Sequence, residues 1–112
     1  MLRDLKVVEL AGVLAGPAVG MFFAELGAQV IKVENPKTNG DITRKWKLPE
    51  EDTTSPTSAY FASVNWNKQH VFLDYSNEND LQNIYLIIKS KCPHGIQYSY
   101  KGYANICKYC SP

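Results

Sequence analysis

Three glycines near the N-terminus could let the backbone approach a phosphate closely, because glycine has no side chain. Gly12, Gly16 and Gly20 follow a short apolar run and precede a second one. A glycine-rich turn at a helix start presents N–H groups to an anion, but the dinucleotide fingerprint requires G-x-G-x-x-G. Here Leu14 stands two positions after the first glycine. The spacing excludes that fingerprint and predicts a tight turn, whose helix N-terminus could still receive an anion or a ligand carbonyl.

Charged residues after the second apolar run could also contact a nucleotide. Glu34 lies near the position of a ribose-binding acid, but without the fingerprint we expect a solvated carboxylate at a strand end. Phosphate binding requires cations that converge in space, and sequence spacing does not establish convergence. We therefore expect a solvated polar loop for the basic residues, which are Lys37, Arg44, Lys45, Lys47 and, further along, Lys68.

The C-terminal segment has a composition of its own, with all three cysteines after residue 91. Cys92, His94, Cys107 and Cys110 supply the four ligands that a zinc site needs. The C-x-H half is unusual and a single C-x-x-C is a weak signal, so reactive or incidental thiols are the favoured interpretation. No metal site is assigned, and a zinc-binding tail is kept as an alternative. Neither His70 nor His94 has the spacing to a serine or cysteine that would suggest a catalytic triad, so no catalytic residue is assigned.

The elements that must position these residues follow from hydrophobic periodicity. Two β-branched runs, 6–10 and 30–33, predict strands on either side of an apolar helix over 18–26, with Pro17 in its first turn. Gly27 is expected to end that helix in the left-handed conformation. Strand, helix and strand predict an α/β fold that starts with a right-handed parallel βαβ unit. Further along we predict a polar loop, a short helix, a third strand and an amphipathic helix, at 35–58, 59–66, 71–74 and 80–90.

Length, composition and charge restrict the class of protein. The 112 residues are enough for one domain, and 45% hydrophobic with 21% charged residues is typical of a globular protein. A net charge of +1 gives no electrostatic argument for binding nucleic acid or membrane. No apolar run approaches the roughly 18 residues of a membrane-spanning helix. The N-terminus lacks the pattern of a signal peptide, so a cytoplasmic location is expected.

Read together, several motifs resemble the N-terminal segment of family III CoA-transferases, the family of formyl-CoA:oxalate and L-carnitine CoA-transferases. They are A-G-P in the glycine turn, G-D-x-T-R in the long loop, and N-x-N-K followed by L-D. The resemblance implies that residues 1–91 are the incomplete start of a Rossmann-like large domain. It leaves 92–112 as a divergent Cys/Tyr-rich tail, which truncation, a frameshift or a fragment would explain.

The resemblance also implies an activity, the transfer of CoA from an acyl-CoA thioester to a carboxylic acid through a catalytic aspartate. The expected partners are acyl-CoA and a small carboxylic acid, with no covalently bound cofactor, no nucleic acid and no membrane. A homo-oligomer is expected, because the family forms an interlocked dimer. The family's aspartate lies beyond position 112, so we expect the chain alone to be inactive. The alternative is a non-catalytic α/β binding or interaction module.

Candidate CoA-binding positions are carried over from the resemblance residue by residue. Leu14 stands where the formyl-CoA enzyme has glutamine, and Asn35 stands where it has arginine. Ala15 matches a turn position that contacts CoA through its backbone. The full set implied in this way is Leu14, Ala15, Asn35, Leu73, Asp74, Tyr75 and Ser76.

Overall fold

Parallel strands form the centre of the molecule, which a computed structural model describes over residues 1–91 and 97–98. The strands are β1 (Lys6–Glu9), β2 (Gln29–Glu34), β3 (Gln69–Phe72) and β4 (Gln97–Tyr98). All pairs are parallel, and the order in the sheet is β3-β2-β1-β4. This is the order of the first four strands in a doubly wound dinucleotide-binding sheet. The predicted α/β fold with a parallel βαβ start is confirmed.

In the described part of the chain, three α-helices accompany the sheet: α1 (Ala15–Glu25), α2 (Ala59–Asn65) and α3 (Glu78–Lys91). Helix α1 begins three residues earlier than predicted, so Pro17 is its third residue, where a helix needs no N–H. Its end is as predicted, since Gly27 has φ +96°. The N–H of Gly27 donates to Ala24 O at 3.0 Å, and that of Ala28 donates to Phe23 O at 3.0 Å. These two bonds form a Schellman motif.

The two faces of the sheet are covered by different helices, as a parallel sheet requires. On one face Val7 and Val30 pack with Ala24 and Ala28, at the C-terminal end of α1. On the other face Ile84 of α3 is completely buried, and it packs with the strand residues Val8 and Val33.

The predicted loop over 35–58 contains two short 3-10 turns, Pro36–Thr38 and Ile42–Lys45. The side chain of Asn35 caps the first and that of Asp41 caps the second. Strand β3 begins and ends two residues before the predicted range, which places the L-D pair in the connection to α3.

The predicted tail at 92–112 has only its residues 97–98 within the described part of the chain. The alternative zinc ligands, Cys92, His94, Cys107 and Cys110, therefore lie outside the described residues. Within the described ranges no group of three or more metal-ligating side chains comes together. In those same ranges, no helix has the length and apolar character to cross a membrane.

Candidate functional site

A buried ion cluster lies at the carboxyl end of β1. Glu9, the last residue of β1, is aligned in register with Lys32 of β2, and their side chains pair at 3.0 Å. Lys32 also donates to Ala11 O at 2.6 Å and pairs with Asp41 at 3.2 Å. These side chains are at most 2% exposed. Charges removed from water to this degree require both an ion partner and further hydrogen bonds, and Lys32 has both.

Lys68 completes the cluster from the N-x-N-K motif. Its ammonium pairs with Glu9 at 2.9 Å and donates to Pro17 O at 2.8 Å and to the Asn65 side-chain oxygen at 2.9 Å. Burial lowers the pKa of Lys68, although the Glu9 carboxylate opposes the shift. The expectation that Lys68 is a solvated cation is wrong, because its side chain is fully buried.

A second buried carboxylate, Glu34, ends β2. Arg44 donates to it from Nε at 2.8 Å and from Nη2 at 2.6 Å, and His70 Nδ1 lies 3.0 Å from Oε2. Burial alone would raise the pKa of Glu34, but the hydrogen bonds from Arg44, His70 and the Asp41 N–H outweigh it and hold that pKa well below its usual range. The expectation of a solvated Glu34 is wrong, since only 3% of the residue is exposed.

Arg44 was also expected in a solvated loop, and that expectation is wrong as well. Its side chain is 14% exposed, and the guanidinium carbon lies 3.8 Å from the centre of the Phe61 ring. This geometry is a cation–π contact combined with a bidentate carboxylate pair. Arg44 therefore anchors the loop to the sheet and is not available to a phosphate.

Asp41 joins the two clusters. Its backbone N–H donates to Glu34 Oε1 at 2.8 Å, while its carboxylate accepts from Val13 N–H at 3.1 Å and from Thr43 Oγ1 at 2.9 Å. Burial would raise the pKa of Asp41, but the hydrogen bonds of Thr43 and the charge of Lys32 lower it overall. The G-D-x-T-R motif thus connects the long loop to the turn after β1.

A pocket of about 210 Å³ opens at this edge of the sheet. Its walls are the turn after β1, the end of β2, the first part of the long loop, and Tyr75. The lining residues are Leu10, Ala11, Gly12, Val13, Lys32, Val33, Glu34, Asn35, Thr38, Gly40, Asp41, Ile42 and Tyr75. Ligands of open α/β sheets bind outside the carboxyl ends of the strands, which is where this pocket lies.

The structure brings some of the predicted CoA-binding residues to the pocket. Asn35 and Tyr75 line it. Leu14 and Ala15 are exposed and start α1, directly after the lining residues Gly12 and Val13. The Asn35 side chain already accepts a hydrogen bond from Lys37 N–H at 2.9 Å. The turn and the end of β2 therefore lie together, as the resemblance implies.

The other predicted positions lie in the connection between β3 and α3. Leu73 packs against the apolar cluster under α3. Asp74 is buried and accepts from Ser76 N–H at 2.9 Å and Oγ at 2.6 Å. Lys37 lies 2.6 Å from the other carboxylate oxygen of Asp74, and this pair together with the Ser76 hydrogen bonds lowers the pKa of Asp74 to about 2. Ser76 itself is exposed.

Sequence reasoning missed Glu9, Lys32 and Asp41 as functional residues. The sequence does contain an indication of this pairing. A strand of a parallel sheet is buried on both faces, so a lysine in the middle of an apolar strand of this kind needs a partner of opposite charge. Glu9 stands at the corresponding end of the neighbouring strand. The two residues could have been paired once the parallel register was assumed.

Comparison with known proteins identifies relatives for most of the chain. The family model described as CoA-transferase family III matches residues 2–90. Succinate–glutarate CoA-transferase of Agrobacterium fabrum is 43% identical over 76 residues, which is 65% of this chain and 19% of that protein. Succinyl-CoA:glutarate CoA-transferase of Mus musculus is 46% identical over 70 residues, covering 62% of this chain and 15% of that protein.

A solved structure agrees with this match. The crystal structure of a CAIB/BAIF family protein from Brucella suis superposes with a TM-score of 0.67 at 40% identity. The match covers 77% of this chain and 22% of that chain. The chain thus spans about a fifth of the length of the relatives it matches.

Gly40→Ala tests the close packing beneath the long loop. Gly40 has φ +93°, and a Cβ there would lie 2.6 Å from Glu34 Oε1 and 3.0 Å from Arg44 Nε. We expect the substitution to lower the free energy of unfolding by about 3 kcal/mol, because left-handed strain adds to displacement of a buried ion pair. Gly27→Ala is the control: it has φ +96°, but its nearest non-neighbour atom is 3.7 Å away. Urea unfolding should give about 1 kcal/mol for it, and equal losses for both variants would contradict this account.

Acid titration tests the Glu34 network. A carboxylate whose pKa is lowered by folding stabilises the protein above its ordinary pKa, and the contribution is lost as pH falls. Wild-type stability should therefore decrease as pH falls below about 4.5, the ordinary value for Glu34. Glu34→Gln should be less stable at pH 7 by about 3 kcal/mol and show a shallower acid slope. Glu50→Gln, in an exposed part of the same loop, should keep the wild-type slope. An unchanged slope in Glu34→Gln would refute the assignment.

Proposed function

This chain belongs to CoA-transferase family III, and we propose from that premise that it forms the CoA-binding N-terminal segment of an enzyme that moves CoA from an acyl-CoA thioester to a small carboxylic acid. The observation that carries the proposal is the pocket between the β1–α1 turn and the end of β2. The names of the relatives, which include succinate–glutarate CoA-transferase, support this substrate class. A cytoplasmic location is part of the proposal, since an odd number of cysteines, all after residue 91, argues against a disulfide framework.

The pocket accommodates one part of CoA. Its volume of about 210 Å³ is below the roughly 300–1,000 Å³ of sites that enclose a small molecule. The remainder of CoA would lie across the start of α1, where Leu14 and Ala15 are exposed and no side chain caps the helix. The helix N-terminus favours negative charge, which suits a phosphate of CoA. Leu14 and Asn35 would contribute neutral contacts.

The proposal places the covalent chemistry outside residues 1–91. A carboxylate acts as nucleophile in acyl transfer only when it can reach the acyl carbon. At the described pocket, Glu34 is held by Arg44 and His70, and Asp41 by Lys32, Thr43 and Val13. Near it, Asp74 is held by Lys37 and Ser76. These carboxylates serve as structural anchors in the proposal and not as the catalytic aspartate.

Calorimetry of the 112-residue chain with coenzyme A tests the site. We expect saturable binding, weakened at least tenfold by Ala15→Trp, because a large side chain there would occupy the exposed start of α1 across which CoA is proposed to lie. Ala62→Trp places the same side chain at an exposed position on α2 and should leave the affinity unchanged. Absence of binding by the wild-type chain would contradict the proposal, and equal binding by both variants would contradict this location.

The same preparation separates binding from catalysis. Incubation with an acyl-CoA donor and a free carboxylic acid should give no CoA transfer to the acid. The reason is that the proposal treats the carboxylates around the described pocket as structural anchors and not as the nucleophile. Detectable turnover by the wild-type chain would show that the chemistry lies within it.

Self-association is the second part of the proposal. Three aromatic side chains are half or more exposed, at 57%, 70% and 50%: Phe22, Trp66 and Phe72. Burying them between copies of the chain would remove this apolar area from water.

Analytical ultracentrifugation tests the self-association. We expect the wild-type chain to sediment as more than one copy at tens of micromolar, and Phe22→Ser with Trp66→Ser to shift it towards the monomer. Leu48→Ser, at a 63% exposed loop position, is the control and should not. A monomeric wild-type chain would refute this part.

A further inference from the structure

The turn after β1 contains a strained residue. Val13 has φ +70°, in the left-handed region that β-branched residues rarely adopt. Such a conformation is energetically unfavourable, and it persists only where surrounding contacts hold it. Val13 lines the pocket and immediately precedes Leu14 and Ala15. Whatever holds Val13 therefore sets the direction in which the chain enters α1.

Val13 is held by a hydrogen bond to Asp41, which lies 28 residues further along the chain. The Val13 N–H donates to Asp41 Oδ2 at 3.1 Å. That oxygen also faces Lys32 Nζ at 3.2 Å, and the Asp41 side chain is 2% exposed. The other oxygen accepts from Thr43 N–H at 3.1 Å and from Thr43 Oγ1 at 2.9 Å. The carboxylate of Asp41 is thus held by Thr43 of its own loop and by Lys32 of β2, in addition to its hydrogen bond with the turn after β1.

We propose that Asp41 is a positioning residue for the CoA site, whose carboxylate holds Val13 in the left-handed conformation and thereby sets the turn that precedes α1. The proposal rests on the proposed function for the identity of the ligand. Its structural part rests on the hydrogen bonds of Asp41 alone. The competing explanation is that Asp41 only stabilises its own loop through the Thr43 hydrogen bonds.

An amide cannot replace this carboxylate. Oδ1 of Asp41 accepts two hydrogen bonds from Thr43, and Oδ2 accepts one from Val13 N–H and also pairs with the Lys32 ammonium. In Asp41→Asn one of these oxygens becomes an N–H₂ group that faces donors in either orientation. Lys32 keeps its contacts with Glu9 and Ala11 O, so the variant leaves no unpaired buried lysine. We expect coenzyme A to bind about tenfold more weakly to Asp41→Asn.

The chain supplies a matched control in the same loop. Asp52 accepts from Thr54 N–H at 2.8 Å and from Thr54 Oγ1 at 2.7 Å, the same local D-x-T arrangement as Asp41 and Thr43. Asp52→Asn makes the same side-chain change at a residue that does not line the pocket. We expect its affinity for coenzyme A to remain within twofold of wild type. A tenfold loss in both variants would overturn the proposal in favour of a general role for the loop.

A double-mutant cycle separates positioning from stability. In Val13→Gly the left-handed conformation is no longer strained, because glycine adopts it readily. Asp41→Asn should therefore weaken coenzyme A binding less than threefold in that background, against about tenfold in the wild-type background. An equal loss in both backgrounds would overturn the proposal. Thermal unfolding of each variant, recorded in parallel, identifies losses that come from unfolding.

Amide hydrogen exchange decides the proposal independently of the ligand. The Val13 amide should exchange at least tenfold faster in Asp41→Asn than in wild type, and at the wild-type rate in Asp52→Asn. If the wild-type chain fails to bind coenzyme A, the proposed function fails while this measurement still reports on Val13. An unchanged Val13 rate in Asp41→Asn would overturn the positioning role itself.

Discussion

The paired charges of Glu9 and Lys32 are the constraint on which the rest of the described structure depends. Two carboxylates and two ammonium groups lie together beneath the pocket, and the set is neutral: Glu9, Asp41, Lys32 and Lys68. Removing such ions from water costs several kcal/mol each, so every member must keep its partners. A slip of one residue between β1 and β2 would separate Glu9 from Lys32 and turn the strand side chains to the wrong faces. The cluster thus disfavours alternative registers.

The three sequence motifs form parts of one network. G-D-x-T-R brings Asp41 to Lys32 and Arg44 to Glu34, and N-x-N-K brings Lys68 to Glu9. A-G-P places the Pro17 carbonyl where Lys68 donates to it. Residues that are distant in sequence therefore meet at two adjacent strand ends. This explains in physical terms why the motifs occur together, since each supplies partners for charges that another buries.

The elements of the fold could be predicted from sequence because they depend on local patterns. The alternation of apolar runs indicated β1 and β2, and Gly27 ended α1 because the left-handed position favours glycine. The burial of Glu34, Arg44 and Lys68 could not be predicted in this way, since convergence of charges is a property of tertiary structure. Local composition describes the loop as polar, and its 3-10 turns and ion pairs depend on strand ends far away in the chain. The start of α1 was missed because Leu14–Gly16 is a weak helix signal.

The network also separates the buried, paired positions of this site from its more exposed ones. The motif residues Gly40, Asp41, Arg44 and Lys68 all contact the buried carboxylates or would collide with them if enlarged. Two positions of the proposed CoA site, Leu14 and Asn35, take no part in these ion pairs. Changing an exposed or half-exposed contact alters recognition at little cost to the fold, whereas changing a buried charge leaves its partner unpaired. Substitutions at Leu14 and Asn35 would therefore test the proposed CoA contacts without leaving a buried charge unpaired.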